Sequence, residues 1–485
     1  MTRVLSFTRR KDSDPCRSSR PAGRRTRLQL KPMFVRRDGL RRGWLGGAVV
    51  GAFSILTMAT CGPVFASSQE PLEPPPPLVV KAARVLDVRK GAYIENGAVW
   101  IEGERVKEVG PASRVESDAP NNANRIDLGQ ATVLPGLIDC HTHIMARIEG
   151  TEGGYILTLA TKSPAFRALE GAFNARLTLN AGFTTIRDVE TEGAGYGDVA
   201  LRDAIEQGLA EGPRMKVATR GIAALGQYNP FGISPDLVQF PTGAQTISGT
   251  EEARRAVREQ IGHGADLIKV YADWMNPTLT VEEMQVVVQE AHRQKLKVAA
   301  HATTAEGIKN AILAGVDSIE HGNHASLEDL EMMKARGTFL VLTLGAVYAL
   351  GDSQMNAAMT PEQRRMREAS KQSIQEVIRT AKSLGVKIAS GFDASSPTGQ
   401  GKNANELVAL TEVGMTPLEA IRTATVSNAE LIGWQDRVGA IEAGKYADLI
   451  AVEGDPLRDI YALQNVRFVM KGGRVVKEAA IVGSR

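Results

Sequence analysis

Two histidines separated by one residue end an apolar run near position 140, in the segment Asp139-Cys140-His141-Thr142-His143. Side chains alternate along a β-strand, so His141 and His143 would share one face and could bind one metal ion. Cys140 and Thr142 would point the other way. Because His-X-His pairs often arise by chance, this pair alone is weak evidence for a metal site.

Further residues of similar chemistry stand at the ends of later apolar runs. They are Lys269, His301, His321 and Asp393. A lysine inside an apolar strand is costly unless it has a task. The chain has only seven histidines, and four of them fall at predicted strand ends, on three separate strands. A single histidine of this kind is more often a hydrogen-bonded core residue, but the whole set favours metal-dependent catalysis.

The runs that carry these residues alternate with helical stretches. Eight runs are present, at 133–138, 184–187, 215–218, 267–270, 297–300, 317–320, 339–342 and 386–389. Eight β-α alternations predict a parallel (β/α)8 barrel of the TIM type, whose active site lies at the C-terminal strand ends. An open doubly wound sheet is the alternative, although it commonly has fewer strands and would scatter the polar strand ends.

Short β-like runs flank the barrel on both sides, at 78–82, 98–102 and 105–109 before it and at 447–452 and 466–470 after it. We therefore predict an α/β chain in which a small β-sandwich domain is formed from both ends of the mature protein. The predicted division is a proline-rich linker at 67–77, β-domain parts at 78–132 and 438–485, and the barrel at 133–437.

Residues 1–66 have the pattern of a targeting segment. Basic residues up to Arg42 precede the apolar stretch 44–56, and small residues around Ala66 suit a signal peptidase. We expect cleavage near Ala66 and an exported protein, periplasmic or secreted; a lipoprotein anchor at Cys61 or an uncleaved anchor helix is the alternative. Cleavage would leave Cys140 as the one cysteine, so no internal disulfide could form.

Charge argues against nucleic acid as a partner. The chain has 58 basic and 55 acidic residues, but 14 of the basic and only 3 of the acidic ones lie in residues 1–66. The remainder is acidic, which is unlike a nucleic-acid-binding domain. We also expect no membrane association beyond the export signal.

The order His-X-His, Lys, His, His, Asp on successive strands resembles the binuclear amidohydrolase superfamily. The segments 133–143 and 438–450 resemble its opening and closing signatures, and the resemblance covers about residues 78–478. The segments 184–188 and 318–322 are similar to the imidazolonepropionase-like branch, which contains Xaa-Pro dipeptidases and which ochratoxin-hydrolysing amidases also resemble.

This resemblance implies a set of site residues. His141, His143 and Asp393 would hold one metal ion, His301 and His321 would hold a second, and a carbamylated Lys269 would bridge them. Two Zn²⁺ ions are expected, with Mn²⁺ or Co²⁺ as substitutes. The ions would activate a shared water, and Asp393 would transfer its proton to the leaving amine.

The expected function is therefore hydrolysis of an amide or peptide bond in a small N-acyl amino acid or dipeptide, with ochratoxin A-type amides as further candidates. One alternative is a mononuclear hydrolase of cyclic amides such as imidazolones; another is a non-catalytic exported binding protein on this scaffold. Oligomers are common among relatives, so a homo-oligomer is expected.

Substrate contacts are less well marked. Tyr228 could donate a hydrogen bond to a substrate carbonyl or carboxylate, or could simply pack. Arg187 ends the second barrel strand and could bind a substrate carboxylate, or pair with Asp188. His324 could reach substrate from its loop. The segment 221–249 is rich in Gly, Pro and aromatic residues and predicts a lid.

Overall fold

The computed structural model describes residues 76–148, 154–226, 242–274, 276–348 and 357–479. The predicted targeting segment, most of the linker, and Tyr228 lie outside these residues. Within them, no helix combines the length and apolar character needed to cross a membrane.

Eighteen strands are assigned in the described residues. In chain order they are β1 (Leu78–Asp87), β2 (Ala92–Glu102), β3 (Arg105–Pro111), β4 (Asn124–Asp127), β5 (Thr132–Pro135), β6 (Leu137–Thr142), β7 (Phe183–Asp188), β8 (Arg214–Val217), β9 (Ile222–Ala224), β10 (Gln245–Ile247), β11 (Leu267–Tyr271), β12 (Lys297–Ala302), β13 (Ser318–His321), β14 (Phe339–Leu342), β15 (Ile388–Ser390), β16 (Leu449–Val452), β17 (Val466–Lys471) and β18 (Arg474–Glu478).

The principal helices alternate with the barrel strands. They span Pro164–Asn180, Gly197–Glu206, Thr250–Gly262, Val281–Arg293, Ala305–Ala314, Leu327–Arg336, Pro361–Leu384 and Ala404–Glu412, with shorter ones at Ala112–Asp118, Gly154–Thr161, Leu344–Val347, Pro417–Arg422 and Asn428–Leu431. Local sequence sets their ends: Thr360 caps the longest helix, and Gly385 ends it in the left-handed conformation (φ 72°).

The small domain is one hydrogen-bonded sheet of eight strands drawn from both ends of the described chain. β5 joins the two ends, because it pairs in parallel with β1 and antiparallel with β16. Alternating apolar residues such as Val80, Val99 and Phe468 are buried on one face of the sheet. Both ends of the described chain thus contribute strands to one sheet; that this sheet forms a separate β-sandwich domain stays a prediction.

The barrel contains the eight predicted parallel strands, β6–β8 and β11–β15. Two backbone hydrogen bonds of 2.8 Å link these groups, from Asp266 N to Val217 O and from Asp393 N to His141 O. Parallel pairing places the C-terminal ends at one mouth, which is the feature that positions the site.

The boundary of the first barrel strand was predicted wrongly. Residues 132–135 belong to the small sheet as β5, and the barrel strand β6 begins only at Leu137. Gly136 separates the two, and a Cβ there would lie 2.2 Å from Thr184 Oγ1. One predicted strand therefore contained two strands of different sheets, and the Pro135-Gly136 pair between them was a turn signal that hydrophobicity alone does not register.

The predicted lid segment begins and ends in two short strands, β9 and β10, which pair in parallel with each other. β9 also pairs with β11 beside the barrel mouth. Residues 227–241, between these strands, lie outside the described part of the chain.

Candidate metal centre and active site

The predicted metal ligands meet at the barrel mouth. His141, Lys269, His301 and His321 lie in β6, β11, β12 and β13, and Asp393 follows β15. All of them, together with His143, line one cavity of about 250 Å³. The fold thus brings together, around one cavity, side chains that are far apart in the sequence.

The tightest group consists of His141, His143 and Asp393, whose candidate ligand atoms lie within 4.8 Å of one another. Asp393 Oδ1 is 3.3 Å from His143 Nε2 and 3.8 Å from His141 Nε2. Burial lowers the pKa of His143, but the hydrogen bond to Asp393 and the charge of Glu192 outweigh it and raise the pKa to about 9. A metal ion bound here would therefore have to replace the proton of His143, and two imidazoles with a carboxylate are a donor set that suits zinc.

His301 and His321 continue this cluster. Their ring centroids are 4.5 Å apart, and the His321 ring is 5.0 Å from that of His141. Burial lowers the pKa of His321 to about 4 and that of His301 well below its usual value. Both rings are consequently neutral near pH 7, which is the form that binds metal ions.

Lys269 lies beside these imidazoles and is only 1% exposed. Burial lowers the pKa of its amine, against the opposing charges of Glu320 and Glu190. Among the described residues, its Nζ has no ion pair and no hydrogen bond. Its Nζ lies 5.4 Å from the centroid of the Tyr271 ring, and a buried ammonium in such a position is costly.

Each imidazole is oriented by a polar group on its far side. His141 Nδ1 is 2.8 Å from Glu320 Oε2, and His321 Nδ1 is 2.7 Å from Thr343 Oγ1. For His143, Nδ1 is 3.3 Å from both the Glu190 backbone oxygen and Glu192 Oε1. Such partners fix the ring and its tautomer before a metal binds.

His301 has a weaker partner of the same kind. Its Nε2 is 3.8 Å from Asp273 Oδ1, and that carboxylate is buried. The backbone amides and hydroxyls of Thr303 and Thr304 donate hydrogen bonds to Asp273 at 2.8–3.0 Å. These four donors hold the carboxylate in place behind the imidazole.

The predicted contact of Arg187 with substrate is not supported. Arg187 is 3% exposed and does not line the cavity. Its guanidinium donates two hydrogen bonds to Glu320, at 2.7 and 2.8 Å, so the structural partner is Glu320 rather than Asp188. Arg187 thus lies beneath the site and holds the carboxylate that orients His141.

The two other residues predicted to contact substrate, His324 and Tyr228, differ in where they lie. His324 lines the cavity and is exposed, as expected for a group that could reach substrate. Tyr228 lies outside the described residues, and its role stays a prediction. The sequence did not single out Glu192, Trp274 and Tyr348, which also line the cavity. No spacing pattern in the sequence marks these three residues. Glu320, which orients His141, was detectable, because an acidic residue stands out in an apolar strand.

Backbone geometry at two predicted ligands is unusual. His321 and Asp393 have φ angles of 71° and 59°, in the left-handed region that non-glycine residues rarely adopt. Strain of this kind persists only where surrounding structure enforces it, and it clusters at functional sites. The barrel therefore accepts a local cost in order to aim these two side chains at the cavity.

Gly391 lies against His141, and substituting it tests how closely the chain packs around this proposed ligand. A Cβ at this position would lie 2.2 Å from the Cβ of His141 and 2.5 Å from its backbone nitrogen. We expect Gly391→Ala to destabilise the protein by about 1–3 kcal/mol through overpacking and to weaken metal binding by displacing His141. Urea unfolding and bound-metal analysis would measure both, with Gly262→Ala, at a glycine with open space around its Cβ position, as the control. Wild-type values for Gly391→Ala would contradict the packing argument.

The amidohydrolase family matches residues 132–476. Ochratoxinase of Aspergillus niger is 33% identical over 426 residues, which cover 81% of this chain and 85% of that protein. Imidazolonepropionase of Shouchella clausii is 28% identical, covering 82% of this chain and 89% of that protein. A crystal structure of a Xaa-Pro dipeptidase with methionine bound in its active site has a TM-score of 0.72 and 33% identity, covering 83% of this chain and 100% of that one.

The chain belongs to the amidohydrolase family. It is a hydrolase that acts on C–N bonds, and dependence on metal ions is typical of this family. The similarity to ochratoxinase, imidazolonepropionase and the dipeptidase structure confirms the branch that the sequence resembled.

Proposed function

We propose that this protein is a binuclear metal-dependent amidohydrolase that cleaves the amide bond of a dipeptide or a small N-acyl amino acid. The observation that carries the proposal is the convergence of four imidazoles, Asp393 and Lys269 on a single cavity. The similarity to ochratoxinase and to a Xaa-Pro dipeptidase supports an amide between an acyl group and an amino acid.

The proposed ligands divide into two groups. His141, His143 and Asp393 would hold one ion, and His301 and His321 would hold the other. Lys269, carbamylated by carbon dioxide, would bridge them as an anion. Its burial among the proposed imidazole ligands supports this, because carbamylation turns a buried cation into a metal-binding carboxylate.

Bound ions would supply Lewis-acid polarisation of the scissile carbonyl and a lower pKa for the attacking water. The protein's own contribution is proton transfer. The Asp393 carboxylate would accept a proton from the attacking water and deliver it to the amide nitrogen as the C–N bond breaks. Its strained backbone and its contacts with His141 and His143 hold it in position for both steps.

A mononuclear hydrolase of a cyclic amide is the second candidate. It is favoured by the closeness of His141, His143 and Asp393, which satisfy a one-ion geometry on their own, and by the similarity to imidazolonepropionase. Lys269 favours the binuclear proposal over this one, since a single ion needs no bridging anion.

The deciding experiment combines metal analysis with a substrate library. Protein loaded with zinc would be assayed for bound metal and for hydrolysis of dipeptides, N-acyl amino acids, ochratoxin A and imidazolonepropionate. Two ions per chain and cleavage of linear amides would support the proposal. One ion, with activity confined to the cyclic substrate, would overturn it in favour of the second candidate, and absence of any hydrolysis would favour a binding protein.

The proposal includes export and self-association. Export rests on the basic, apolar and small residues of positions 1–66, with cleavage near Ala66. The proposal of a homo-oligomer rests on the family resemblance alone. Mass spectrometry of the mature N-terminus and sedimentation would test each.

A further inference from the structure

Glu192 is an acidic residue on the cavity wall that is not among the proposed metal ligands. Its carboxylate remains 10% exposed, and its Oε1 is 3.3 Å from His143 Nδ1. A substrate group that reaches Glu192 would therefore lie next to the His143 ring, on the side of Nδ1 rather than of the proposed metal-binding Nε2.

The position of Glu192 is fixed by its surroundings. Its φ of 52° lies in the left-handed region. Arg167, which is 1% exposed, donates a hydrogen bond to the Glu192 backbone oxygen and others to the backbone oxygens of Met145 and Thr191. Tyr155 donates its hydroxyl proton to Glu192 Oε2 at 2.7 Å. A buried arginine thus fixes the backbone of Glu192 and a tyrosine fixes its carboxylate, which favours a recognition role.

The charge of the wall indicates what this carboxylate would bind. Among the described residues that line the cavity, Lys269 is the only lysine or arginine. The rings of Tyr271, Trp274 and Tyr348 line the same cavity, and aromatic rings attract cations. Apart from the proposed ligand Asp393, Glu192 is the only acidic side chain among the described residues that line the cavity, which favours a cationic over an anionic group beside it.

We propose that Glu192 binds the α-ammonium group of the substrate, so that the enzyme selects dipeptides over N-acyl amino acids. The inference rests on the proposed function. In a dipeptide, the α-ammonium is on the carbon bonded to the scissile carbonyl, which places it next to the reacting centre. In a simple N-acyl amino acid the same position is uncharged, and the Glu192 carboxylate would lose its partner.

The test uses two substrates that differ only in this group, Ala-Phe and propionyl-Phe. Zinc-loaded wild type should prefer Ala-Phe. In Glu192→Gln, which keeps the size and hydrogen-bonding capacity of the side chain, the ratio of kcat/KM for Ala-Phe to that for propionyl-Phe should fall about 10- to 100-fold, mainly through KM. Glu331→Gln, the same change on an exposed helix, should keep the wild-type ratio.

Several results would overturn the inference. Equal kcat/KM values of the wild type for both substrates would show that the ammonium is not recognised, while the proposed hydrolase function would stand. An equal loss on both substrates in Glu192→Gln, or a loss of bound zinc, would show that Glu192 only positions His143. If zinc-loaded wild type cleaved neither these substrates nor any linear amide, the proposed function would fail, and the inference with it.

Discussion

Asp393→Asn should lower kcat for a dipeptide by about 100- to 10,000-fold, the usual contribution of a positioned general acid or base. The amide keeps the shape of the side chain but cannot take up the proton of the attacking water. Because an amide anion is a very poor leaving group, proton delivery to the nitrogen should be lost as well. The measurement is steady-state kinetics on protein whose bound zinc has been determined, with Asp118→Asn, an exposed aspartate, as the matched control.

The leaving group separates this role from metal binding. A p-nitroanilide leaves with less need of a proton than an alkylamine, so the loss in Asp393→Asn should be smaller for the anilide. An equal loss on both leaving groups, accompanied by loss of zinc, would show that Asp393 acts only as a ligand. A kcat within tenfold of wild type would remove it from the proton-transfer step altogether.

Lys269→Ala should reduce bound zinc from two ions per chain to at most one and abolish most of the dipeptidase activity. The physical reason is the loss of the anion that would bridge the two groups of imidazoles. Short carboxylic acids such as formate or acetate should partly restore metal binding, because they can supply the missing oxygens. Metal analysis with and without added carboxylate is the measurement, and Lys107→Ala, an exposed lysine on β3, is the control.

A second measurement addresses carbamylation itself. Zinc loading of the wild-type apoprotein should be slow in carbon dioxide-free buffer and accelerated by bicarbonate, whereas loading of Lys269→Ala should be insensitive to it. Two zinc ions in Lys269→Ala, bound as tightly as in wild type, would contradict the bridging role.

The barrel strands and the convergence of their polar ends on one cavity were predictable because strand periodicity and residue type carry that information locally. The strand Phe339–Leu342 was placed with its correct ends, and the other polar strand ends followed from the same alternation. Arg187 was misjudged for a physical reason. A sequence shows that an arginine ends a strand, but not that Glu320 lies opposite it inside the barrel and takes up its charge.

The groups behind the imidazoles were beyond prediction for a similar reason. Thr343, Asp273 and Glu192 come from loops or loop edges, and their distances to the imidazoles depend on how separate strands pack. Residue type is uninformative there, since threonines and acids are common in loops. The positive φ of Glu192 is likewise set by tertiary contacts, because glutamate does not favour that conformation.

Because β5 pairs with strands from both ends of the described chain, the small sheet cannot be completed until the C-terminal strands have been synthesised. β5 pairs on one side with β1 and on the other with β16, and Thr132 Oγ1 donates to Gly454 O, 322 positions later. A ribosome-bound chain that stops short of β16 would present β5 as an unpaired apolar edge, the kind of surface on which strands of other chains can add. β1 to β5 can pair with one another as soon as they are made, but completion of the small sheet must wait for the last strands.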